Sequence, residues 1–182
     1  TIASLKHKPI IESREGYVAY LLIIDGSSRK IWVYPTKTKK PPIATVDLFL
    51  QRFGLKDGTQ RYIRTDQGGE LAKSEAFCNV IAKNGYVLES TGPDASLQNG
   101  QGERPHRTLA NMVRCMLYRA NLGVEFWADA LVYAAYLYNC TYHEAIGKTP
   151  YEAWTTLKPE MNHIQTFGSS VTVCKPGRRP TK

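Results

Sequence analysis

Sulfur and negative charge are both sparse in this chain, and each shortage excludes something. There are four cysteines in 182 residues, and no two lie closer than the 25 positions between Cys115 and Cys140, so no Cys-x-x-Cys pair exists. The four histidines (His7, His106, His143 and His163) do not fall at zinc-finger spacing from them, which argues against a structural zinc site. Three of the four cysteines sit among apolar neighbours and read as buried free thiols, which suits a reducing compartment. No signal peptide is legible, and no apolar run reaches the roughly 18 residues that a membrane span needs. Asp plus Glu is 16 against 24 for Lys plus Arg, a formal charge of +8. An excess of that size favours a polyanionic partner, through phosphate neutralisation and counterion release.

Hydrophobic residues make up 42% of the chain, enough for one globular domain with a real core. Residues 17–25 read as a buried strand, Gly26-Ser27-Ser28 as a turn, and residues 29–35 as the hairpin partner. Lys37 to Pro42 is a basic loop, and Ile43 to Phe53 has helical spacing closed by Gly54. A short strand, Arg61 to Thr65, leads into Asp66. A helix over Ser74 to Lys83, with Phe77, Val80 and Ile81 inward, stops at Asn84-Gly85. Another short strand follows at Tyr86 to Glu89. Ser90 to Gly102 reads as a long loop, of the kind that is usually functional in a compact domain. Glu103 to Asn121 and Glu125 to Asn139 read as helices separated by Gly123. Thr149 caps a short helix with Pro150 in its first turn, and Val171 to Cys174 reads as a terminal strand. The order gives a mixed α/β sheet flanked by helices, with a loose basic tail at 175–182. Thr1 to Ile11 starts without a cap or leader and reads as a cut end.

The chemistry concentrates in two places. On a helix starting at Glu103, at about 100° per residue, Arg104, Arg107, Asn111 and Arg114 share one side with that carboxylate. Leu109, Met112, Val113, Met116, Leu117 and Ala120 fall on the other side. No further acid occurs until Glu125, so the polar face is an acid among arginines rather than the mixed charge of an ordinary surface helix. Pro105 is tolerated if it lies in the first turn. The second place is Arg64-Thr65-Asp66-Gln67-Gly68-Gly69-Glu70, where a carboxylate leaves a strand end and the glycines let the backbone turn. Asp66 could also simply shape that turn, and Glu70 could cap the next helix. Two acids at element ends beside a cationic face suit divalent metals and phosphates.

Those segments, with Ile24-Asp25-Gly26-Ser27-Ser28-Arg29, Gln98-Asn99-Gly100, Glu103-Arg104, Arg107-Thr108-Leu109, Phe126-Trp127-Ala128, Tyr138-Asn139, Gly147-Lys148-Thr149-Pro150-Tyr151-Glu152 and Phe167-Gly168, resemble the catalytic core of a copia-type retrotransposon integrase. The resemblance runs over residues 1–174 and implies a ribonuclease H-like fold. It also implies an Asp, Asp, Glu site for two Mg²⁺ (or Mn²⁺) ions. Asp66 matches the second acid and Glu103 the third. The activity implied is polynucleotidyl transfer: trimming of cDNA ends and attack of the 3′-hydroxyl on a target phosphate. The implied partners are double-stranded DNA and further copies of the chain, with no membrane. The implied location is the nucleus, reached from cytoplasmic virus-like particles. Arg104, Arg107 and Arg114 would contact phosphates, and Asn99 and Gln98 the reacting DNA end. Lys37, Lys39 and Lys40 are further candidates, or a solvated loop.

The first acid belongs on the opening strand, upstream of the Ile-Asp-x-x-Ser segment. By that spacing it falls near or before Thr1, and no aspartate precedes Asp25. Glu12 and Glu15 read as loop residues, and Asp25 matches a hairpin aspartate that usually shapes a turn, with a metal-ligand role as the alternative. Either the acid lies upstream of Thr1 or this copy has lost it. In the second case the chain would bind DNA or protein without catalysis. The family's His/Cys zinc module and complete carboxy-terminal DNA-binding region are not in this sequence. A bacterial-type transposase core is disfavoured by the Phe126-Trp127-Ala128 and Thr149 to Glu152 segments.

Overall fold

Five strands form one sheet: β1 (Ile2–Leu5), β2 (Ala19–Ile24), β3 (Ile31–Thr36), β4 (Arg61–Thr65) and β5 (Tyr86–Ser90), in the order β3-β2-β1-β4-β5. The computed structural model describes residues 2–5, 11–54, 61–65, 71, 73–90 and 96–173, by backbone alone at 2–5, 90 and 96–103. β1, β2 and β3 pair antiparallel, whereas β1, β4 and β5 run parallel. The helices are α1 (Ile43–Phe53), α2 (Glu75–Lys83), α3 (Ser96–Ala120), α4 (Trp127–Cys140) and α5 (Pro150–Thr155). This is the mixed α/β, ribonuclease H-like arrangement that the sequence predicts.

Strand alternation sorts the core into two layers. Leu21, Ile23 and Ile63 face α1 and α2, packing on Val46, Phe49, Leu50, Phe77 and Ile81. Leu22, Ile24 and Ile31 face α3 and α4, packing on Leu109, Leu131, Ala134 and Ala135. Each fully buried leucine or isoleucine contributes on the order of 1.5–3 kcal/mol. The apolar stripe of α3 is therefore what seats that helix against the sheet and leaves its arginine side outward.

Several boundaries match the sequence reading closely. Ser74 caps α2 by accepting from the Phe77 amide (3.3 Å), and Thr149 caps α5 by accepting from Glu152 (3.1 Å). Gly54 ends α1 in extended rather than left-handed backbone (φ −67°, ψ 128°), and a Cβ there would lie 2.2 Å from the Leu50 carbonyl oxygen. Close approach, not positive φ, is what requires glycine.

Three expectations are corrected. First, α3 starts at Ser96, so residues 96–102 are helical rather than loop. Gly100 and Gly102 each weaken a helix by about 1 kcal/mol, but elongating an existing helix is far easier than nucleating one. Pro105 consequently lies inside α3 and is buried, not in the first turn. Second, residues 171–173 form no strand, and Val171 and Val173 are exposed; Cys174 lies outside the described residues. Third, of the described cysteines only Cys140 is buried, while Cys78 is half-buried and Cys115 exposed, because Cys115 falls on the outward side of α3. The segment 2–5, to which the sequence reading gave no element, is the central strand of the sheet.

Candidate nucleic-acid interface and acid site

The outward side of α3 carries Arg104, Arg107, Asn111 and Arg114, all exposed. Leu109 (0% exposed) and Leu117 (8%) lie on the opposite side, with Met112, Val113 and Met116 partly buried against the same core. The predicted two-faced helix is thus present from residue 104 onward. Arg114 Nη2 donates to Asn111 Oδ1 at 2.8 Å, and its Nε donates to the Ala110 carbonyl at 3.2 Å, which fixes that guanidinium along the helix. Arg104 opens onto a cleft of about 540 Å³, lined also by Arg29, Thr108, Tyr142 and His143. A cationic side with no acid after residue 103 suits phosphate oxygens, which arginine binds through planar, charge-assisted hydrogen bonds.

Two groups to which the sequence reading gave no site role lie beside this surface. His106, on the inward side of α3, is buried, with Nδ1 2.9 Å from the Tyr20 hydroxyl of β2. Burial pushes the Tyr20 phenol up to about 12, so it stays neutral. Arg29 reaches the α3 cleft from the β2–β3 turn. Neither contact has a local signal, since each joins residues far apart in the chain.

Gln98, Asn99 and the Glu103 backbone lie in the first turns of α3 rather than in a loop. Asp66 and Glu70 lie outside the described residues; Thr65, the last residue of β4, delivers the chain directly to Asp66. On the same strand Arg64 grips Glu89 of β5, with Nε to Oε2 at 2.6 Å and Nη2 to Oε1 at 3.3 Å. That contact holds the Glu89 carboxyl below the usual glutamate range. Lys37, Lys39 and Lys40 are in the exposed loop before α1, with Lys37 over the Tyr17 ring at 5.8 Å.

Asp25 serves the turn. Its Oδ2 accepts from the Ser28 amide and hydroxyl, both at 2.8 Å. β1 pairs Ile2 with Ile24 on one side and with Arg64 on the other, so Asp25 follows a residue that lies in line with Arg64 of β4. Asp25 shares a cavity of about 660 Å³ with Arg61 and Tyr62 at the start of β4.

Two neighbouring divalent cations bring a charge of +4 and need carboxylates that bridge them. The opening strand, Ile2-Ala3-Ser4-Leu5, offers none. Among the described residues no group of three or more His, Cys, Asp or Glu could hold a metal.

No protein-family model matches the chain. The chain is 32% identical over 174 residues to the retrovirus-related Pol polyprotein from transposon TNT 1-94 of Nicotiana tabacum, over 94% of its own length and 13% of that protein. It is 27% identical over 177 residues to the corresponding polyprotein from transposon RE1 of Arabidopsis thaliana, covering 94% of the chain and 11% of the polyprotein. The chain thus spans only a small part of the relatives it matches. Among solved structures, the HTLV-2 integrase catalytic core domain in complex with magnesium (trimeric form) superposes with a TM-score of 0.56. The identity there is 21%, over 84% of this chain and 95% of that one, a likeness of fold.

Proposed function

The chain is a homologue of the Pol polyproteins of copia-like transposons and has the fold of an integrase catalytic core, and from that premise we propose that it is the DNA-engaging integrase core of such an element. It grips duplex DNA through phosphates on the outward side of α3. The full activity of such a core is polynucleotidyl transfer, in which cDNA ends are processed and joined to target DNA with Mg²⁺ or Mn²⁺. The magnesium in the HTLV-2 core supports that expectation for the family. That neighbour's trimeric form likewise supports a multimer as the working species.

The observation that carries this reading is the division of α3. Arg104, Arg107 and Arg114 are exposed on one side, while Leu109 and Leu117 anchor the other. Arginines on a rigid helix position a backbone without reading its sequence. Binding of the 182-residue chain to two unrelated duplexes, followed by fluorescence anisotropy across a salt series, tests it. The expected result is equal affinity for both and a steep loss with salt. Arg107→Ala weakens both equally and lowers the salt slope by about one. No binding at low salt, or a loss confined to one sequence, overturns the reading.

A further inference from the structure

The sheet register locates the missing acid on one residue. β1 and β4 run parallel, with Ile2 beside Arg64 and Ala3 beside Thr65. One step further along each chain come Ser4 and Asp66. Against β2 on its other side, β1 pairs Ile2 with Ile24, Ala3 with Ile23, and Ser4 with Leu22. Leu22 and Ile24 belong to the core layer beneath α3 and α4, whereas Leu21 and Ile23 belong to the layer beneath α1 and α2. Paired residues share a face of a sheet. Ile2 and Ser4 are therefore on the face that α3 covers, and Ala3 and Leu5 on the opposite face.

We infer that Ser4, on the α3 face of the central strand and one residue past the Ala3–Thr65 pair, stands where a third carboxylate would complete the acid set begun by Asp66 and Glu103. The inference rests on taking those two acids as the retained members of the set. A neutral hydroxyl supplies neither the charge nor the bridging oxygens that adjacent divalent cations need, and an aspartate at this position supplies both. The sequence alone left open whether an acid preceded Thr1. With β1 already filling the centre of the sheet, the lost-acid alternative is the one the register favours.

The test is a gain of function in the 182-residue chain. Ser4→Asp is compared with Ala3→Asp and with the unmodified chain, by Mn²⁺ binding from electron paramagnetic resonance and by metal-dependent joining of a labelled DNA end to plasmid. The expected result is at least a tenfold rise in Mn²⁺ affinity for Ser4→Asp alone. That gain disappears when Asp66→Asn or Glu103→Gln is added, and DNA joining above the unmodified chain accompanies it. If Ser4→Asp does not fold, Ser4→Cys is titrated with Cd²⁺. A thiolate–cadmium absorption band that weakens with Asp66→Asn supports the assignment, and a titration without that band overturns it. A folded Ser4→Asp protein with unchanged Mn²⁺ affinity, or an equal gain in Ala3→Asp, also overturns it. The DNA affinity of the unmodified chain is read separately. Its absence would sink the proposed function while leaving the metal result standing.

Discussion

Arg64 and Glu89 face one another across β4 and β5, two residues before the chain reaches Asp66. The hydrogen bond from Arg64 depresses the Glu89 carboxyl, and depression ties stability to pH in a definite direction. The stabilisation is fully present above the unfolded-state value and is lost as pH falls through the lower folded-state value. Both side chains are more than a third exposed (38% and 41%), so solvent screening keeps the effect small. Glu89→Gln is therefore expected to lower the melting temperature slightly at neutral pH and to converge on the unmodified chain in acid. Melting curves across a pH series check this, and a gap that stays constant with pH would remove the charge from the explanation. Other residues quoted for the family resemblance prove to be anchors. Asn139 accepts from the Ile31 amide at 2.9 Å and donates to its carbonyl at 2.8 Å, sealing the outer edge of β3. Trp127 donates to the Ile11 carbonyl at 2.9 Å. Tyr151 and Trp154 close with Trp32 around the Lys30 ammonium. Gly168 has a φ of 80° and lies so near α3 that a Cβ would come 2.4 Å from the Ala120 Cβ.

At the scale of elements, α3 carries two functions on one cylinder, and they can be separated. Leu109→Ala leaves a cavity under α3, with an expected cost of about 2–5 kcal/mol. Denaturant unfolding measures that loss. Anisotropy well below the denaturation midpoint is expected to show unchanged DNA affinity, because no arginine is altered. A parallel loss of affinity would mean that the helix must be rigid, not merely present, to bind. The elements were unevenly legible. α1, α2, β4 and α5 follow from apolar spacing, caps and stop signals. The start of α3 does not, because Gly100, Gly102 and Pro105 carry loop propensities that the cooperativity of a long packed helix overrides. β1 does not either: four residues are too few for a period to show.

For the molecule as a whole, the proposed DNA binding rests on the excess of 24 basic over 16 acidic residues and on the arginine face, neither of which needs a bound metal. Addition of EDTA is expected to leave the dissociation constant within about twofold at fixed ionic strength, since the phosphate contacts set the affinity. A loss beyond that would show that a cation already bridges protein and DNA. What the sequence determined by itself was the inventory: the helix-forming and strand-forming segments with a period of their own, the two-sided character of α3 and the chain's own positive charge. These are encoded by residues close together, through side-chain spacing and net charge. Tertiary structure alone decided that β1 lies between β2 and β4, and that it holds the register of Ile2 beside Arg64 and Ala3 beside Thr65. Strand order and register are set by hydrogen bonds and packing between residues distant in the chain, and no local pattern records which strands will meet.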